Sequence, residues 1–543
     1  MQTVSQAWKN AHKQTLLNES FVEISMDITD PDALEEAESS DNGAVYISNT
    51  PEVVSEVDTP VIPYGTLEQN IWLLDGKRSI IPDNNYQDGG YVGDELSNEE
   101  GVFDKKIPTI TIDFGRVFTK LIPGLTITWG TAYSEYATHF IITAYNGDTV
   151  VATKEISDND KVISLVNLDI VNYDRITIQI LGWCLPKHRA RVDEIFVGWN
   201  KIYSKANLMS YSHEQIVDPI STSLPKMEIK FSIDNSDNSY NPLNPDSMAK
   251  YLIERQSVNV RYGLKTSNNT TEWIKGGTFY LSEWYAQQNG ISAEFGARDI
   301  LEFMSSNYKD DTYKTYTPAG VAEIKRRSLY TIATEVLSAA NLPLNSNGTA
   351  RWIIDDSLKL IYASAPLPND TIANCLQLIA NAGCCVLYPD RDGQLHIEPI
   401  STTPTDYVVN SYNSYLKPEI TLSKLIKEIR VKVYEYTIGE KGVESTATEK
   451  IYSVNATGES ITVDNPLITD TARAEVVGKW IGDYLKNRMT VKTVTRADVS
   501  LEPLDIISNE SEFITNTMRM TNVKFEYNGA FKGTGEGRVI EDG

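Results

Sequence analysis

Cysteine is scarce in this chain of 543 residues: Cys184 stands alone, Cys375, Cys384 and Cys385 share one stretch, and no C-x-x-C pair occurs. The spacing fits no zinc ligand set and predicts buried, reduced thiols. The five histidines, His12, His139, His188, His213 and His396, fall on separate segments. No H-E-x-x-H, G-x-S-x-G, P-loop or helix-opening G-x-G-x-x-G is present, so no catalytic residue is assigned. The glycine-rich Gly533–Gly537 follows a strand, opens no helix and is expected to be a flexible end. Carboxylates are abundant, yet no feature promotes a glycosidase pair. The N-terminus lacks an apolar core of signal-peptide length, and no window approaches ~18 apolar residues. Synthesis in the cytoplasm without membrane insertion is therefore expected. Lys and Arg are missing from Thr29 to Gly76, where Glu35, Glu36, Glu38, Asp41, Glu52, Glu56 and Asp58 lie. That charge run predicts a solvated acidic connector over 36–65.

Hydrophobic content of 41% and charged content of 23% are those of globular protein. The length predicts roughly three or four domains. A net charge of −25 disfavours a nucleic-acid or anionic-membrane binder. It suits a protein that lets polyanions pass.

Period-two alternation dominates. Phe21–Met26 reads as one strand. Between 66 and 199, Ile110, Ile112 and Phe114, then Leu125, Ile127 and Trp129, then Phe140, Ile142 and Ala144 alternate. Asn146-Gly147 supplies a hairpin signal, because both residues accept positive φ. Short strands at ~10-residue spacing predict a β-sandwich. Strands return over 200–310. Helical stripes come later: Leu329, Ile332, Ala333, Val336 and Leu337; then Ile372, Leu376, Ile379 and Ala380, with Asp370 as N-cap and Gly383 as C′ residue; then Val476, Val477, Trp480, Ile481 and Tyr484 facing inward. Pro389–Gly393 reads as a hairpin turn. The fold class is mainly β with minor α+β.

The stretch "FSIDNSDNSYNPLNPDS", Phe231–Ser247, runs from a strand into Asn, Asp, Ser and Pro. Its oxygens suit calcium, with Asp234 and Asp237 as candidate ligands, but the EF-hand spacing and its terminal Glu are missing. A surface connection uses the same residues for side-chain-to-backbone bonds. Both readings stay open, calcium being the single cofactor considered. In "PDNNYQDGGYVGDE", Tyr86 and Tyr91 occupy a Gly/Asn/Asp-rich loop where sugars could stack. With Arg189, which is equally suited to a structural ion pair, they form a candidate glycan-binding set.

The segment "KMEIKFSIDNSDNSYNPLNPDSMAKYLIERQSVNVRYG" resembles phage tail-tip hub proteins, as do "GGTFYLSEW", "ISAEFGARDILEFM", "CLQLIANAGCCVLYPDRDGQLHIEP", "VDNPLITDTARAEVVGKWIGDYLKNR" and "VKFEYNGAFKGTGEG". Order and content match over about 200–543. The family is the structural part of siphophage tail-associated lysins and the hub of contractile-tail baseplates. "LEQNIWLLDGKRSIIPD", "PTITIDFGRVFT", "YATHFIITAYNG" and "RARVDEIFVGW" are similar to discoidin-type sandwiches.

The resemblance implies a discontinuous first hub β-domain at 1–35 plus 200–310. It implies an inserted sandwich at 66–199, an α+β hub domain at 311–405, and a second β-barrel-like hub domain with one helix at 406–543. It implies a virion structural protein: a homotrimer at the distal end of the tail, without enzymatic activity. Its partners would be the distal tail protein, tail tube, tape-measure protein and peripheral fibre or receptor-binding proteins, with DNA met only in transit. The alternative is a host-surface glycan-binding protein that grips cell-wall polysaccharide through the sandwich. A carbohydrate-active hydrolase is the remaining rival.

Overall fold

The computed structural model describes residues 1–14, 19–28, 33, 36–45, 48–54, 90–119, 121–244, 247–252, 254–266, 270–286, 290–319, 321–344, 349–439, 442–510 and 515–540. They fall into two compact units: Met1–Ser25 with Ile202–Ala249 and Ile253–Gly543, and Met26–Lys201 with Lys250–Leu252. The fold is mainly β, as the alternation predicts.

In the smaller unit, one sheet orders Glu38–Asp41, Thr109–Phe118, Tyr173–Trp183, Ala137–Asn146 and Thr149–Ile156. The other orders Tyr91–Leu96, Arg189–Val197, Ile122–Trp129 and Ile163–Ile170. Their inward residues, among them Ile110, Ile112, Phe114, Trp129, Phe140, Ile178 and Trp183, share one core. The hairpin forms one residue later than Asn-Gly predicts. Asn146 pairs with Thr149, so Gly147 and Asp148 are the loop. Only Gly147 takes positive φ there, at +57°. The expected connector at 36–65 is corrected in its described part. Glu38–Asp41 pairs with Ile110–Asp113, and Val53 and Val54 enter the sandwich core. Charge density hid Ser39, Val53 and Val54, which point inward between acidic neighbours.

The larger unit is organised by a thirteen-stranded sheet. Its main path runs Trp199–Tyr203, Ser20–Ile28, Ser257–Lys265, Thr271–Ala286, Ser292–Arg298, Lys226–Asp234, Leu208–Ile216, Thr515–Tyr527, Phe531–Ile540, Met489–Thr495 and Glu419–Leu422. Two expected β-domains thus share one sheet, and no closed barrel forms among the described residues. Alternation identifies a strand's buried face but not its neighbours. The seam is Leu208–Ile216, whose Tyr211 pairs with Phe231 on one side and Tyr527 on the other. The glycine-rich C-terminal stretch is not a loose end. Phe531–Ile540 is a strand between two others, and a Cβ on Gly537 would stand 2.7 Å from the Arg519 carbonyl oxygen.

Among the described residues, four α-helices belong to this unit: α1 (Gln6–His12), α2 (Leu329–Ser338), α3 (Ile372–Gly383) and α4 (Thr471–Lys486). The predicted stripes of α2 and α3 are buried in one core with Leu387, Leu395 and Ile397. That core continues through Ile429, Val431, Val477 and Ile481, so α4 and the strands at Ile426–Val463 pack with the α+β layer across the expected boundary at 405/406. Val476, expected inward, is 49% exposed. The inward face of α4 instead holds Ala474, Val477, Gly478, Ile481 and Gly482. A Cβ at Gly482 would meet the Tyr452 ring at 2.8 Å; the glycine lets helix and sheet approach.

The caps of α3 also differ from expectation. Thr371 is the N-cap, accepting from the Asn374 amide, and Cys384 closes the helix in the left-handed region at φ 54°. Asp370 instead accepts from the Asn374 side chain. Gly383 is small because a Cβ would lie 2.4 Å from Leu358 Cδ2.

Asp310 and Arg327 form a buried two-bond pair at 3.0 and 2.6 Å. The Leu367 amide also donates to Asp310, and Glu335 supports the guanidinium. Burial alone would raise the Asp310 carboxyl, but Arg327 and the amide hold it below its ordinary value. Arg327→Met strands a buried carboxylate and should cost about 3–5 kcal/mol in a denaturant titration. Because the folded pKa is depressed, the pair's contribution is complete above ~3.9 and fades as pH falls through the folded value. The variant should therefore lose this part of the acid dependence.

Candidate functional site

The proposed sugar platform does not assemble among the described residues. Tyr86 lies outside them. Tyr91 opens an inward-facing strand opposite Val192, is 1% exposed, and donates from its hydroxyl to the Gly43 carbonyl at 3.1 Å. Burial raises its phenol pKa. A ring enclosed in the core offers no face to a sugar, which corrects the loop-based expectation for this residue. Arg189 donates to the carbonyls of Gly93 and Asp94 at 3.3 and 2.5 Å, fastening the same strand.

The Asn/Asp tract winds through successive turns. Amides of Asn238, Asn241, Asn244 and Ser247 each donate to the carbonyl three residues earlier. Asp234 Oδ1 accepts from Ser236, Asp237 Oδ1 from Ser239 and Asn235 Oδ1 from Tyr240, all near 2.9 Å. Asn238 adopts φ 57°. Side-chain oxygens thus satisfy local backbone. Tyr240, at the centre of the tract, is buried edge-on against Phe295 at 5.2 Å. Among the described residues no three His, Cys, Asp or Glu side chains gather as a metal site.

Thiols offer no poised nucleophile. Burial pushes Cys375 and Cys385 up to about 12 and Cys384 to about 11. The histidines remain apart, each with its own partner. His213 is buried, its Nδ1 2.7 Å from the Tyr262 hydroxyl, which meets that of Tyr211 at 2.6 Å. Burial first, then the charge of Arg391, hold His213 well below its ordinary pKa, so the imidazole is neutral.

What the fold does present is surface. On the outer face of the sheet, Glu283, Gly296, Lys230, Ser212, Glu526 and Lys532 stand in one cross-strand row. Beside it Tyr285, Glu294, Ser232 and Ser210 form a second row. The two rows floor an open cleft of about 780 Å³. Charges of both signs alternate, with Lys230 3.9 Å from Glu283 and Lys532 3.7 Å from Glu526. Small hydroxyl and glycine positions keep the floor low.

The hairpin Val386–Glu398 fastens the α+β layer to the sheet. Its tip residue Arg391 is buried and donates to the carbonyls of Val499 and Leu501, both at 2.6 Å. Its guanidinium lies 5.7 Å from the rings of Tyr262 and Phe525. Behind the tip, His396 Nε2 meets Asp390 at 2.8 Å and Nδ1 lies 3.5 Å from Glu398. The imidazole stacks on Tyr388 at 4.8 Å. Nothing in residue type marked His396 or Arg391. The signal was positional, since Arg391 lies within the expected turn Pro389–Gly393 and His396 on the strand that follows it.

No protein-family model and no curated protein matches the chain. Among solved structures it is similar to phage tail and baseplate proteins. One is the prophage MuSo2 43 kDa tail protein from Shewanella oneidensis, at 11% identity over 63% of this chain and 95% of that one, TM-score 0.42. Another is the tail protein from Neisseria meningitidis MC58, at 11% identity over 64% and 94%, TM-score 0.42. A third is chitosan-binding module 1 of a chitosanase/glucanase from Paenibacillus sp. IK-5, at 12% identity over 32% and 98%, TM-score 0.19.

Burial alone would lower the pKa of His396, but Asp390 and then Glu398 outweigh it and raise it above 6.5. The stabilisation from its protonation is complete below about 6.5 and is lost as pH rises through the folded value. Thermal melts should show midpoints that fall on alkalinisation past neutrality. His396→Gln should flatten that slope while leaving the fall below pH ~4 in place.

Proposed function

We propose that this chain is the trimeric hub at the distal end of a phage tail or tail-derived particle. In this reading it closes the tail tube, anchors the distal tail protein and peripheral fibre or receptor-binding proteins, meets the tape-measure protein, and opens for DNA passage. It resides in the virion and performs mechanical work, not catalysis. The observation that carries the reading is the single sheet linking Ser20–Ile28, the strands of 200–310 and the C-terminal strands. The segments that resemble tail hubs contribute, apart from Lys250–Leu252, to the unit built on that sheet. A ladder of this extent is a rigid, register-defined frame. Such a frame is suited to symmetric assembly against other proteins.

The smaller unit is spliced between Ser25 and Ile202, which makes it a peripheral module on this reading. The −25 charge supports DNA transit without adhesion, since like charge keeps phosphate from condensing on the protein.

Two measurements test the proposal. Light scattering on the purified chain should give three times 60.7 kDa, and the polypeptide should be found in tail tips. A chain that is monomeric at all concentrations and absent from particles overturns it. Deleting residues 29–198, which removes every sandwich strand and keeps Ser20–Ile28 and Trp199–Tyr203, should leave tips that assemble. Failure of assembly with the larger unit still folded would make the sandwich part of the frame.

A further inference from the structure

The main path of the large sheet has two ends. One is Trp199–Tyr203, the other Glu419–Leu422, and each has one neighbouring strand among the described residues. The second end pairs on one side only, Glu419–Leu422 against Met489–Lys492. Ile420 and Leu422 are 54% and 62% exposed although their partners lie on the apolar face, Val491 being fully buried. The approach to this strand adds Tyr412 and Leu416, 83% and 63% exposed. At the first end Ile202 is 50% exposed.

Exposed apolar edges are templates for another strand, and folded proteins usually protect them with charge, proline or a covering element. Here the protection within the strand is minimal: one glutamate in four residues. We propose that the Glu419–Leu422 edge of one copy receives the Trp199–Tyr203 edge of the next, joining copies head to tail through a continued backbone ladder. The strand lengths match to within one residue, five against four. Each end brings a large exposed aliphatic side chain, and the charges are opposite, Lys201 on one and Glu419 on the other. Two different ends make the contact heterologous, and a heterologous contact satisfies every copy only when the ring closes. The occupant is therefore a second copy of this chain. The inference rests on the trimeric reading and adds the surface through which it forms.

The test is cysteine crosslinking in the full-length chain and in assembled tips. Ile202→Cys with Ile420→Cys should give covalent dimers and trimers under oxidation, whereas either substitution alone should not. Leu422→Pro removes an amide on the open side, because the Ser423 amide donates inward to the Arg488 carbonyl and amides alternate along the strand. It should raise the concentration for half-assembly at least about tenfold, with the far-ultraviolet spectrum unchanged. Lys201→Glu should weaken assembly, and adding Glu419→Lys should restore it. A trimer by mass that neither crosslinks nor responds to Leu422→Pro overturns the edge contact and leaves the hub intact. A chain that is monomeric at all concentrations and missing from particles overturns both.

Discussion

The larger unit depends on Leu208–Ile216 having both edges paired. Its amides and carbonyls bind Lys226–Asp234 on one side and Thr515–Tyr527 on the other. The early and late parts of the chain are thereby held in register over a sequence separation of roughly three hundred residues. Register is enforced by side chains as well as ladder bonds. A slip of one position would bring Ser212 into the core and expel His213, and with it the hydroxyl chain through Tyr262 and Tyr211. Long-range pairing of this kind carries a loop-closure cost before any contact rewards it. The aromatic face that includes Phe231, Phe279, Phe525 and Phe531 supplies the compensation.

Arg391 couples the second layer to that same face. Its terminal nitrogens donate to two carbonyls, two rings lie beside it, and Glu502 stands 3.6 Å from its Nε, which makes no hydrogen bond. A buried cation is tolerable when its hydrogen bonds are met, and a delocalised guanidinium beside aromatic faces is the least costly to bury. Burial, and after it this charge, keeps His213 neutral. A neutral imidazole therefore lies near the buried Arg391 cation. His396 and its two carboxylates stand at the base of the hairpin, so the protonation of one exterior-side residue bears on how firmly the tip is held.

Strand-level structure was legible because the inner faces alternate cleanly, as in Ile110–Phe114 and Met227–Ile233. Helix stripes were equally plain in α2 and α3. Strand partnership was not legible: Leu208–Ile216 has the same pattern whether it lies at an edge or in a centre. Fine punctuation failed where two roles compete for one residue type. Gly383 and Gly482 are small for packing, not for φ, while Cys384 takes the left-handed position. Tyr91 failed because loop composition extends past the strand boundary, while the first three positions of Tyr91–Leu96 are all buried. The Asn/Asp tract was readable as chemistry that could serve metal or turn. Only the hydrogen bonds from Ser236, Ser239 and Tyr240 assign the oxygens to backbone.

The distribution of polarity over the sheet carries a functional consequence. A scaffold needs faces that do not associate indiscriminately and edges that associate selectively. The outer face answers the first need with cross-strand rows of alternating charge around serine and glycine, because a wrong partner would bury unpaired charge. The edge at Glu419–Leu422 answers the second by leaving apolar side chains and backbone groups open in one direction. In a freely diffusing enzyme that edge would be a liability. On the ring assembly proposed above, it is the part through which one copy would meet the next.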